Sequence, residues 1–160
     1  MHKIARAFFL AAAAAPLALV AVTSPSASAA VAGAGLVQGA GDIQPGLTAV
    51  PQDQHFSFNG TVTGAIVNGG VSTSAPCGAT GHDLAGSVEE GAGTVQTLPD
   101  CAGAILPTGV FVRVGAVVVA AFADASGGAG AGVFAFQADQ LPPATVNTYH
   151  LVGVGAAVHA

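Results

Sequence analysis

From position 30 onward a glycine recurs every few residues, and that spacing rules out most of what a chain of this length folds into. Each glycine inside a helix costs about 1 kcal/mol relative to alanine, and apart from alanine the strong helix formers are rare here. What accompanies the glycines is valine, phenylalanine and threonine in alternation. In QHFSFNGTVTG (54–64), Phe56, Phe58 and Val62 share one face, while His55, Ser57, Asn59, Thr61 and Thr63 share the other. Period two with β-branched and aromatic residues predicts a half-buried antiparallel strand.

The same reading extends along the chain. AGAGLVQGAG (32–41) is a first strand, followed by a turn through Pro45-Gly46 in DIQPGL (42–47). The stretch 68–86 reads as the longest irregular piece. SVEEGAGTVQTL (87–98) reads as a hairpin or bulged strand. SGGAGAG (126–132) is a flexible turn into VFAFQAD (133–139), and after LPP the segment 145–160 is a last strand or pair. The expected fold class is all-β: a single-domain antiparallel sandwich or small barrel of about 7–9 strands.

VFVRVGAVVVAAFAD (110–124) tests that reading, because it is apolar throughout except for Arg113 and Asp124. A membrane helix needs about 20 apolar residues, and this run is shorter, β-branched and interrupted by Gly115. It reads as one long strand bending at Gly115, or as two short ones. On a continuous strand Val112, Val114, Val118 and Phe122 share one face and Phe111, Arg113, Val117 and Val119 the other. With both faces apolar, it belongs at the centre, covered on each side or packed into a closed barrel. A membrane-inserted β-barrel is not expected, since the chain has no Trp and a single Tyr, Tyr149, to form interfacial aromatic girdles.

The N-terminus carries an address. His2, Lys3 and Arg6 form a basic head, Ala7 to Val22 an apolar middle, and TSPSASAA a small polar exit with Ala27 and Ala29 spaced for signal peptidase. Together they read as a secretory signal peptide over 1–29, leaving a single secreted domain over 30–160. Loss of Lys3 and Arg6 leaves eight acids against one arginine, Arg113, a net charge of −7. No basic patch remains for nucleic acid or an anionic lipid surface. Charged residues are 7% of the chain, against roughly a quarter in an ordinary domain, so Gly, Ser, Thr, Asn and Gln must carry solubility. Export also places Cys77 and Cys101, the only cysteines, in an oxidising compartment, where one disulfide is expected. Closing its loop of roughly 25 residues is worth about 3.5 kcal/mol in the chain-entropy picture.

No catalytic constellation emerges. The histidines His55, His82, His150 and His159 lack partners at metal-ligand spacing, and only Asp83 adjoins one of them. His55 and His150 could meet across strands. Glu89 and Glu90 are neighbours and so point to opposite faces of a strand. No serine lies in a G-x-S-x-G elbow, GGAGAG opens no helix for a phosphate, and NGT at Asn59 matches a glycosylation acceptor in a strand context that disfavours it. No metal, cofactor or catalytic residue is assigned. Arg113 stands apart: a sole guanidinium in an apolar strand must be paired or solvated, and Glu89, Glu90 or Asp100 are the expected ion-pair partners.

The order GAGDIQPGL, HFSFNGTVTG, a cysteine, EGAGTV, a second cysteine and FVRVGAVVVAAF resembles small exported proteins of high-GC Gram-positive bacteria. That resemblance implies a secreted β-rich domain and assigns no reaction or site residue. The expected role is non-enzymatic: a secreted or cell-surface domain with a binding or structural duty, with partners unknown and a cell-wall or surface component among them. The alternatives are a small-ligand carrier built on a β-barrel, and a secreted hydrolase that would need at least two of His55, His82, His150, Asp83 and Glu89 in one cleft.

Overall fold

The computed structural model describes residues 31–64, 66–67, 70–71, 75–98, 108–123 and 128–159. The expected signal peptide (1–29) and Cys101 lie outside them. Ten strands follow in order: β1 (Val31–Leu47), β2 (Gln52–Thr63), β3 (Ile66–Val67), β4 (Gly70–Val71), β5 (Ala75–Gly86), β6 (Glu90–Thr97), β7 (Thr108–Val114), β8 (Val117–Ala123), β9 (Ala129–Ala138) and β10 (Val146–His159). Eight of them close into an antiparallel barrel in the order β1-β10-β9-β8-β7-β6-β5-β2, and β3 and β4 form a separate small hairpin. The architecture is therefore the barrel rather than the sandwich.

Register shows how the barrel is wound. Crossing from partner to partner, Ile43 leads through Phe56, Gly81, Val95, Gly109, Phe122, Gly130 and Ala157 back to Gly33 on β1. The circuit therefore closes ten residues from its start, and such a stagger tilts the strands by roughly 35–45°.

An eight-stranded barrel has a lumen just wide enough for side chains to fill, and here aromatic rings fill it against glycines. Phe58 lies over Gly39 and Gly60, Phe56 over Gly81, Phe122 over Gly109, Phe134 over Gly132 and Gly153, and Tyr149 over Gly41. At each of these glycines a methyl group would collide with the ring. Tyr149 uses the gap at Gly41 to reach across β1, and its hydroxyl donates to the Ser57 carbonyl on β2 at 2.8 Å. Phe56 meets Phe111 edge to face with centroids 5.4 Å apart, and Phe136 stacks on Tyr149 at 5.2 Å. Ile43, Leu47, Ala79, Val95 and Val146 complete this core, with Val118, Ala120 and Phe134 forming a second cluster beside it.

Several expectations change. Pro45-Gly46 makes no turn: β1 runs on to Leu47, with the register against β10 shifting between Asp42 and Leu47. Residues 75–86 are a strand, not an irregular piece, because small inward side chains at Cys77 and Ala79 suit a wall opposite Phe56 and Phe58. Gly130 and Gly132 lie within β9 rather than in a flexible turn. Within 110–123 the chain forms two strands joined at Gly115-Ala116, where Gly115 has φ +57°. That two-residue turn sets Arg113 opposite Val118 and Val112 opposite Val119, so the facing parity switches across it. Phe111, Arg113, Val118 and Phe122 point inward, whereas Val112, Val114, Val117 and Val119 point outward.

Gly81→Ala should destabilise the barrel by about 1–3 kcal/mol, because the new methyl group must displace the Phe56 ring in a filled lumen. Urea unfolding monitored by tyrosine fluorescence measures this; an unchanged midpoint would contradict ring-on-glycine packing.

Candidate functional site

The outside of the barrel is divided. Across β7, β8, β9, β10 and β1, Val112, Val119, Val133, Val154 and Leu36 stand directly opposite one another in one row. A second row runs through Val114, Val117, Ala135 and Val152. Val114 is 69% exposed, Val110 58% and Val112 54%, and Val117, Val152, Val154 and Leu36 are exposed to a lesser extent. No outward residue of β7 or β8 carries a charge. On the other side β2, β5 and β6 face outward with the polar, neutral Ser57, Asn59, Thr80, Thr94 and Gln96 together with Asp53, Leu84 and Glu90. An open depression across β2, β1, β10 and β9 cuts into the second row at Ala135 and Val152 and is lined further by Gly39, Ala40 and Gly60 and by the polar Gln38, Thr61, Gln137 and His150.

Singly exposed valines are ordinary on protein surfaces, but a contiguous apolar face exceeding a few hundred Å² marks a contact surface. The sequence shows these valines, yet a continuous strand assigns Val112 and Val117 to opposite faces. Only the turn at Gly115 unites them.

One end of the barrel is built around Arg113, which is 3% exposed. Its guanidinium donates to carbonyls: Glu90 at 2.9 Å, Gly115 at 3.1 Å, Val88 at 3.3 Å and Ser87. It also lies over the Phe136 ring, 4.8 Å from the centroid. The connections at this end are sewn together by backbone bonds, Val88 N to Thr48 O and Gly115 N to Glu89 O. The Ser87 hydroxyl accepts from the amides of Glu89 and Glu90, which shapes the tight turn that supplies the carbonyls. The side chains of Glu89 and Glu90 are exposed, and Asp100 lies outside the described residues. Sequence reasoning looked for a carboxylate beside Arg113 and missed the carbonyls, because a turn's backbone acceptors leave no residue-type signature.

Asp83 is buried beneath the same turn and accepts from the amides of Ala92 at 3.1 Å and Ala85 at 3.4 Å. Burial raises its carboxyl above the ordinary 3.8, while those amides and the Arg113 charge pull it down. Burial lowers the Arg113 guanidinium, opposed by the charges of Asp83 and Glu90. Tyr149 is raised by burial and then by Asp42.

Of the remaining candidates, one pair comes together. His55 and His82 are register partners on the outer face, with rings stacked 4.6 Å apart. His150 pairs instead with Asp139 at 3.3 Å, and its register partner on β1 is Ala40. Asp83 faces the lumen while its neighbour His82 faces out, so the two do not share a site. Among the described residues no three His, Cys, Asp or Glu side chains gather. Cys77 is buried on β5.

A scan of protein-family models finds no match to this chain. A search of curated proteins finds none, and a search of solved structures finds none.

Two outcomes follow at the Arg113 end. Arg113→Ala should lower stability by about 3 kcal/mol or more, because four carbonyls at this end, that of Ser87 buried, lose a charged donor and the Phe136 ring its cation; thermal unfolding reads this, and an unchanged midpoint would contradict the clamp. For Asp83, a folded carboxyl raised above 3.8 favours the protonated form in the fold. Its stabilising contribution is therefore fully present below 3.8 and lost as pH rises through the folded value. Asp83→Asn keeps a neutral group there. The wild type should accordingly lose thermal stability relative to this variant as pH climbs through the carboxylate range, and a pH-independent difference would count against it.

Proposed function

We propose that the protein is an exported, non-enzymatic β-barrel that works through its outer wall, as a binding or structural component at the cell surface. The observation that carries this reading is the uncharged outward row Val112, Val119, Val133 and Val154 on β7–β10, exposed at Val112 and Val154 and half-buried between, on a barrel whose core is packed with aromatic rings. Aromatic rings fill the space in which a carrier of this strand number would hold its ligand. Of His55, His82, His150, Asp83 and Glu89, only His55 and His82 come together, stacked on the outer face with no carboxylate beside them, which favours a contact role over hydrolysis. The basic, apolar and small-residue leader supports export, and so does the resemblance to small exported proteins of high-GC Gram-positive bacteria. Export in turn supports a Cys77–Cys101 disulfide, which would anchor the end of β5 remote from Arg113.

Fractionation of cells producing the full chain tests the reading. The expected product begins at Ala30, titrates no free thiol after denaturation, and stays with the envelope. A Val112→Asp/Val154→Asp double variant should be exported equally and released to the medium. Cytoplasmic protein with its leader attached would overturn export, two titrating thiols would overturn the disulfide, and wild type wholly free in the medium would overturn the surface role.

A further inference from the structure

We propose that His55 and His82 form a two-imidazole site on the outer face of the barrel that takes a divalent transition-metal ion, Cu2+ foremost. The inference goes beyond the contact reading of the valine row and does not depend on it, since the pair stands on the polar side of the barrel.

Register makes the pair. His55 on β2 and His82 on β5 are directly opposite on neighbouring strands, in an outward row that runs Gln44, His55, His82, Thr94. Opposite residues of an antiparallel pair have their Cβ atoms about 4.5–5.5 Å apart. Here the imidazoles lie face to face, 10° from parallel, with centroids 4.6 Å apart. A bond from zinc to an imidazole nitrogen is about 2.0–2.1 Å, so two nitrogens on one ion stand at most about 4 Å apart. Turning the two rings about their own side-chain bonds meets that spacing and leaves the strands in place. His55 is exposed and His82 half-buried, so there is room to turn.

The ring nitrogens are open to a ligand. No hydrogen bond to a described residue occupies a nitrogen of either ring, whereas His150 has its Nε2 committed to Asp139 at 3.3 Å. Charge favours a cation. Asp42 stands diagonally across from His55, and Asp53 two places along the same strand, both exposed. Neither pairs with a ring, yet both lend negative charge to the surface that a cation approaches. Arg113, the one described cation apart from histidine, is buried inside the barrel.

The donor set selects the ion. Imidazole suits Zn2+, Cu2+ and Ni2+, whereas Ca2+ and Mg2+ take oxygen ligands. A structural zinc site draws four ligands from the protein, and among the described residues no three metal-binding side chains gather. Two neutral nitrogens leave the other positions on the ion to water, and affinity then follows the order that puts Cu2+ above Ni2+ and Zn2+. An ion held this way stays open to solvent, so the site takes up and releases metal at the surface and does not clamp the fold.

Titration of the purified protein with CuCl2, followed by calorimetry and electron paramagnetic resonance, tests the site. The expected result is saturable uptake with a dissociation constant of about 10 μM or below, and a spectrum split by two imidazole nitrogens. His55→Gln and His82→Gln should each weaken uptake at least about tenfold, since losing a ligand costs no less than losing a group that orients one. Both should keep the wild-type circular dichroism spectrum, and should one fail to fold the other carries the test. His150→Gln should leave uptake unchanged. Because only the folded chain presents both rings together, CuCl2 should raise the thermal midpoint of the wild type more than that of either variant. No saturable uptake below about 100 μM overturns the proposal. So does uptake that His55→Gln and His82→Gln both retain in full, which would put the ion on the amino terminus, a thiol or another histidine.

Discussion

Ring against glycine is the contact on which this barrel depends. Eight strands leave a narrow lumen, and a side chain on every inward position would overfill it. Leaving Gly39, Gly41, Gly60, Gly81, Gly109, Gly132 and Gly153 bare creates troughs, and Phe56, Phe58, Phe122, Phe134 and Tyr149 lie down in them. The glycine content that excludes helices thus has a positive role. It lets a chain with few large aliphatic residues make a dense interior, and bare backbone also lets Tyr149 bridge from β10 to the Ser57 carbonyl on β2.

The polar interior at one end obeys a different rule. A buried guanidinium is tolerable only when its donors are satisfied, and here turn carbonyls satisfy them rather than one opposing carboxylate. Since those carbonyls belong to the 87–90 turn and to Gly115, one side chain links separate hairpin connections. Asp83, held by the amides of Ala85 and Ala92, fixes the strands on either side of that turn.

How much of this could be read in advance varied with the local signal. β2 was legible because its apolar and polar residues alternate without interruption, and the structure places Phe56, Phe58 and Val62 inward as the pattern requires. β5 was not, since APCGATGHDLAG holds a single β-branched residue, Thr80, and its fitness for a strand comes from the rings opposite rather than from its own propensity. The faces of 110–124 went astray for a countable reason: a turn of two residues instead of a bend reverses which parity looks outward. The exposed wall could not be foreseen without that turn, for valines on both faces suggest a strand covered on both sides. Arg113 stood out as a lone cation, but backbone acceptors cannot be counted from side-chain letters.

The pairing of β1 with β10 has a consequence for assembly in time. This seam runs from Val31 opposite His159 to Asp42 opposite Thr148, joining the first and last strands of the barrel. Each other adjacent pair except β2 with β5 comes from neighbouring segments and can zip as soon as both have emerged, whereas the seam must wait for the final strand. Until then β1 and β9 present open hydrogen-bonding edges beside a partly built valine surface, the situation in which strands from different molecules recruit one another. Docking of β10 therefore closes two edges at once, and the exposure of β1 and β9 to other chains ends only with the last fourteen-residue strand, Val146–His159.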